Sequence, residues 1–298
     1  MRRWLRWGIG GVLTGVPLLL AVAGPWLVSG PGARSRAFVA GDGHPLGTDF
    51  VGRDVWQQVL LGGRTVLLVA MLATVLAYLV AVPWGIAAAV SRHRWVDELL
   101  MRPLDLVLAL PSLLLLVLLA TIAPSGSPTL VAIVALLNLP GITRIVRAAA
   151  LEVGSRPAVE ALRLQGEGWW RITVGYVARS IVRTLAADLG TRFTGALYLV
   201  ASASFLGVGV PPDASDWAVM VDRNRPGLFV QPWAVLAPAL LIVALSVGVN
   251  LLFDRALATR SGPGPRPGAR PGARSGARTE TGSGNRPGPR PEPQGAAP

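Results

Sequence analysis

The sequence predicts an all-α membrane protein with about six transmembrane helices. Three observations point there. Of the 298 residues, 52% are hydrophobic and only 15% charged, with a mean hydropathy of +0.51, whereas a soluble domain carries roughly a quarter charged residues. The apolar residues gather in blocks long enough to cross a hydrocarbon core about 30 Å thick, which takes about 20 helical residues. Between the blocks, the basic residues fall mostly on one side of the membrane.

The first block follows Met1-Arg2-Arg3-Trp4-Leu5-Arg6 and covers about 8–28. A cleaved signal peptide would share the basic start and the small residues Ala21-Val22-Ala23-Gly24. Pro25 directly behind them, and the apolar continuation Trp26-Leu27-Val28, favour an uncleaved span. Further blocks cover about 65–90, 103–123, 129–145, 185–206 and 233–253. Each is expected as helix, because lipid offers no partner to open backbone groups. Pro111, Pro140 and Pro238 lie inside blocks and are expected to kink them. The chain thus divides into a first helix with an extracytoplasmic segment (1–63), a transmembrane domain (64–260) and a tail (261–298). The tail repeats Pro, Gly and Arg, as in Pro267-Gly268-Ala269-Arg270, and is expected to be disordered. It is either a solvated cytoplasmic extension or one drawn to anionic headgroups.

All 28 basic residues are arginine, and the net charge is +12. They stand at block ends and in the tail, not on one soluble face, so no nucleic acid is expected as partner. With the N-terminus inside and the tail left aside, fifteen arginines fall on the inner side and six on the outer. Both termini are therefore expected in the cytoplasm of a multi-pass protein of the cell membrane. The absence of cysteine removes disulfides, thiolate metal sites and cysteine nucleophiles. The absence of lysine removes the phosphate loop Gly-x-x-x-x-Gly-Lys, so ATP-driven work has to come from another chain. His44 and His93 are the only histidines, both at block ends, so no metal, cofactor or catalytic residue is expected. A membrane-embedded enzyme lacks its acids and bases here.

The longest inner polar stretch runs over about 147–183, and a loop of that length is usually functional. It holds Glu160-Ala161-Leu162-Arg163-Leu164-Gln165-Gly166 and then Trp169-Trp170. Glu160 and Arg163 are one helical turn apart, and Gly166 permits a sharp exit from a short helix. An amphipathic surface helix with tryptophans at the headgroups would look the same. Asp188 and Arg192 lie four apart near the start of the fifth block. They are a structural ion pair, a pathway lining, or a sign that the span begins later.

Glu160, Ala161 and Gly166 resemble, at the family spacing, the Glu-Ala-Ala, three residues, Gly loop of ABC importer permeases. Leu162 replaces the second Ala, and Tyr176, Ala178 and Arg179 stand where that family closes with Ile, Leu and Pro. Two outer stretches are similar to the C-type subunits of dipeptide, oligopeptide and nickel importers. The first comprises His44, Gly47, Asp49, Gly52, Arg53 and Asp54, followed by Gly62-x-Arg64. The second is 204–209 with Pro211, Pro212, Asp216 and Trp217, where Ala218 replaces a usual Gly. Asp97, Met101-Arg102, Asp105 and Pro111 also fall as in that family's third span. The resemblance covers about 44–260 and implies a type I importer permease forming half of a pathway for peptides. The same likeness leaves nickel or another small solute open as cargo. It further implies a second, non-identical permease, two ATP-binding subunits docked on the loop around Glu160, and an extracytoplasmic binding protein. A membrane scaffold would account for the spans but not for three ordered motifs.

Overall fold

The computed structural model describes residues 2–28, 30, 34–41, 43–91, 94–209, 211 and 214–258. Pro212 and the tail from 261 onward lie outside them. Among the described residues no strand forms; the only β features are the isolated bridges Gly41 to His44 and Thr48 to Asp54. The helices are α1 (Arg2–Leu27), α2 (Val55–Val90), α3 (Arg94–Ala109), α4 (Ser112–Ile122), α5 (Ser127–Gly154) and α6 (Pro157–Leu164). A π-helix (Arg171–Ala178) then leads into α7 (Arg179–Phe205), followed by α8 (Trp217–Asn224), a 3-10 turn (Arg225–Gly227) and α9 (Trp233–Ala258).

Small residues set the centre of the bundle. Ala70, Ala73, Ala77 and Ala81 make one buried stripe down α2, three or four residues apart and so on one face. That stripe packs with Ile133, Val134, Ala135, Leu139 and Ile142 of α5. Without bulk on the stripe the two backbones approach closely, as helix pairs in lipid require. Ala196, Leu197, Val200 and Ala203 of α7 complete the core at one end. Ile172, Val177 and Ile181 complete it at the other. Helix α1 lies against α2 and α9, and a side chain at Gly24 would collide with the Leu60 carbonyl.

Among the described residues, four stretches are long and apolar enough to cross a membrane: Gly8–Leu27, Val55–Val90, Ser127–Gly154 and Trp233–Phe253. The expected third span is not one straight helix. Trp95–Ala109 and Ser112–Ile122 meet at a 95° bend. The break falls at Leu110-Pro111, because proline lacks the amide hydrogen a helix needs and drives its predecessor out of helical conformation. Pro140 and Pro238, expected to kink their spans, sit inside helices that continue through them without the break seen at Pro111. Helix α7 is 27 residues long, but Arg179, Arg183, Asp188 and Arg192 make its first half polar. Its second half packs into the core, and Ile181 anchors the polar first half.

Candidate functional site: the loop around Glu160 and the polar cluster above it

Pro157 starts α6 at a position where its missing amide costs nothing. Val159, 1% exposed, anchors the helix in the core beside Ile172 and Val177. At 100° per residue, Pro157, Glu160, Ala161 and Leu164 lie on the opposite side, and all four are exposed. Leu164 is 84% exposed, an apolar end with nothing from the described residues over it. The helix stops in a Schellman turn: Gly166 N–H donates to the Arg163 carbonyl (3.0 Å) and Glu167 N–H to that of Leu162 (3.1 Å). The turn requires the left-handed backbone that Gly166 adopts at φ 77°, where a side chain would be strained.

Arg163 lies about 60° round the helix from Glu160, toward Val159, and no ion pair joins them. It lines a cleft of about 600 Å³ behind α6, between the ends of α2 and α5 and the π-helix. Glu167, Trp169 and Thr173 share that cleft, and the Thr173 hydroxyl is buried without a hydrogen-bond partner. The loop thus presents two surfaces: a small outward face bearing Glu160, and an inner cleft bearing Arg163. Trp169 and Trp170 stack at 5.6 Å with rings 9° apart. Tyr176, Ala178 and Arg179, the residues that depart from the importer pattern, fall in the π-helix and at the start of α7. With arginine and not proline at 179, the backbone runs into α7 without a break.

Asp188 and Arg192 come together inside the bundle. Arg192 Nε donates to both carboxylate oxygens of Asp188 (3.2 and 3.0 Å). The Tyr78 hydroxyl of α2 donates to the same carboxylate at 3.0 Å. On α5, Gly141 leaves the room the Arg192 guanidinium occupies. Asp188 is ten residues into α7, so the pair belongs to the helix body and not its start. The sequence signal for Tyr78 was one of three hydroxyls, with Thr65 and Thr74, in an otherwise apolar span, too weak to single out. Nearby, Arg147 of α5 holds Asp97 of α3 with Nε at 2.7 Å, and Arg144 pairs with Asp105.

The outer motif residues form a cap over α2 and α8. Asp54 accepts from Trp56 N–H (2.8 Å) at the start of α2 and from His44 Nδ1–H (3.1 Å) by its other oxygen. Asp49 accepts from the Arg53 amide (2.7 Å) and from Arg53 Nε (2.8 Å). Gly52, at φ 79°, lies so close to Ser35 that a Cβ would strike its carbonyl. Gly47 abuts the Gln231 side chain, which donates to the Leu46 carbonyl. Trp217 is fully buried and donates from Nε1 to the Val59 carbonyl at 2.8 Å. Asp216 caps α8 through one oxygen and leaves the other buried and unpaired. Burial pushes its carboxyl up to about 6, against the opposing pull of the Val219 and Ala218 amides. Pro211 is exposed beside this cap.

Residues 81–258, from the middle of α2 to the end of α9, match the model of the binding-protein-dependent transport system inner membrane component. The chain belongs to this family. Its relatives include a protein of Brucella suis biovar 1 assigned as a peptide transport system permease. That protein is 34% identical over 251 residues, covering 83% of this chain and 84% of the relative. A protein of Sinorhizobium fredii assigned as a peptide ABC transporter permease is 32% identical over 251 residues, covering 83% and 85%. Among solved structures, a chain of the MetNI methionine ABC transporter, inward facing, matches with a TM-score of 0.55 at 15% identity. The match covers 66% of this chain and 94% of that one. The fold is therefore that of an ABC importer permease. This family member is a multi-pass inner-membrane transport subunit that works with other subunits of its transporter.

Proposed function

We propose that this permease forms half of the pathway of an ATP-driven peptide importer and receives the ATPase's motion through α6. The outward face of α6 carries this reading: one carboxylate and an 84% exposed leucine on a helix whose opposite side is fixed in the core. Such a face fits a groove on a separate ATP-binding subunit, where Glu160 would accept charge-assisted hydrogen bonds from an arginine. Peptide as cargo follows the names of the relatives. The assembly comprises this chain, a second permease, two ATP-binding subunits and an extracytoplasmic binding protein, with both termini of this chain cytoplasmic. Closure of the ATPases pushes α6, and the bundle shifts between outward and inward access.

Glu160→Ala and Gly166→Val are expected to reach the membrane in normal amounts yet lose peptide uptake and substrate-stimulated ATP hydrolysis. Truncating one side of a buried interfacial charge pair costs several kcal/mol, and valine at 166 strains the turn that ends α6. Uptake and ATPase assays in vesicles, with co-purification of the ATPase, test this. Normal transport by both variants would sink the proposal.

A further inference from the structure

An open cleft of about 680 Å³ runs along the outside of the bundle between α2 and α5. Its α2 wall is formed by Leu68, Leu72, Val75 and Leu79, all exposed, and Val131 stands on the α5 side. At one end is Arg64, also exposed, for which no ion pair forms among the described residues. From Arg64 to Leu79 the helix rises about 22 Å, more than the depth of one leaflet at about 15 Å. Beyond Arg64, α2 carries no charged residue to its end at Val90. The guanidinium therefore stands where the helix enters hydrocarbon.

Two features say what covers this cleft. A guanidinium at the edge of an apolar groove demands an anion, and its planar fork suits two oxygens of one phosphate. The wall below it is mostly leucine and valine, with Thr65, Ser127 and Pro128 also in the lining, whereas helices that dock on one another in lipid meet mainly through small and hydroxyl residues. The cleft between α4, α7, α8 and α9 is mixed, with Ala201, Ser202, Ala239 and Ser246 beside Leu206, Val243 and Val247, and none of its lining residues is charged. We propose that the Arg64 cleft is a binding site for an anionic phospholipid. The phosphate sits on the guanidinium and one acyl chain lies along Leu68, Leu72, Val75 and Leu79.

The chain has no cysteine, so Leu72→Cys can carry a single bimane in vesicles without further changes. Phosphatidylglycerol brominated on its acyl chains is expected to quench it at a concentration about fivefold lower than brominated phosphatidylcholine. That factor is what one interfacial arginine is worth against an anionic headgroup. Arg64→Gln should bring the two lipids to equal concentrations, and Arg64→Lys should keep most of the difference. Equal quenching in the Arg64 chain overturns the proposal, as does a preference that survives Arg64→Gln. Quenching by neither lipid also overturns it, since it would mean that protein covers the cleft.

Discussion

Asp216 has a fully buried carboxylate with one capping oxygen and one unpaired oxygen. Its pKa of about 6 in the fold compares with 3.8 for the free side chain, so the native state binds this proton more tightly than the unfolded chain. Through this group stability falls as pH rises from about 4 to about 6, and the ionised form is a cost at neutral pH. Asp216→Asn keeps a capping oxygen and should flatten the pH dependence of thermal unfolding in that window. Following the melt by tryptophan fluorescence at pH 4.5 and 7 decides it; an unchanged difference between the two would refute this assignment. In the α7 pair, Asp188→Asn or Arg192→Gln alone should destabilise more than both together, because each leaves a charge among apolar neighbours. Tyr78→Phe should lower stability by about 1 kcal/mol, one hydrogen bond's net worth. Additive effects of the two charge changes would show that the pair is not coupled. The spacing of Asp188 and Arg192 was legible because four residues put side chains on one helical face. Tyr78 and Gly141 were not, since their part depends on which helices α7 meets.

Helix α6 was legible as an element from Pro157, the Glu160 spacing and Gly166. Which of its residues face outward was decided by Val159 entering the core, which turned Arg163 into the cleft behind. The role of Gly166 lies in its backbone angle, since a Cβ there would meet nothing within 4 Å. Asparagine tolerates the left-handed region far better than valine. Gly166→Asn is therefore expected to retain most of the uptake that Gly166→Val loses; equal loss would move the cause from the turn to contact with the partner. The third span teaches the reverse lesson. Its apolar run looked continuous, yet a proline in mid-run allows either a kink, as expected of Pro111, or a clean break. In α5 and α9 the helix runs on through Pro140 and Pro238.

The bent α3–α4 pair leaves two topologies, a broken crossing or a re-entrant loop. Helix α4 alone, with 11 residues, covers about half of the hydrocarbon core. A re-entrant pair would place the loop around Glu160, with its seven arginines between Arg144 and Arg183, on the outer side. The arginine bias opposes that arrangement, so the pair is expected to cross. Reporters fused after Arg94 and after Arg260 should read cytoplasmic, and one near Ala214 extracytoplasmic. A reporter at Arg94 on the outer side would overturn the orientation; Arg94 and Ala214 on the same side would make α3–α4 re-entrant.

By itself the sequence determined that the chain is helical and membrane-embedded, where most of its spans lie, and which loop bears the importer pattern. These are properties of composition, block length and local spacing, which act within one segment or against a uniform solvent of lipid. Tertiary structure alone decided that the His44 to Asp54 motif is a cap locked to Asn224 at the end of α8 and to Gln231 of the last loop. It also decided that Arg192 shares Asp188 with Tyr78, and that Arg163 and Glu160 serve different surfaces. Each of these depends on residues 100 or more positions apart or on the rotation of one helix against another, and rotation is fixed by which side chain the core accepts.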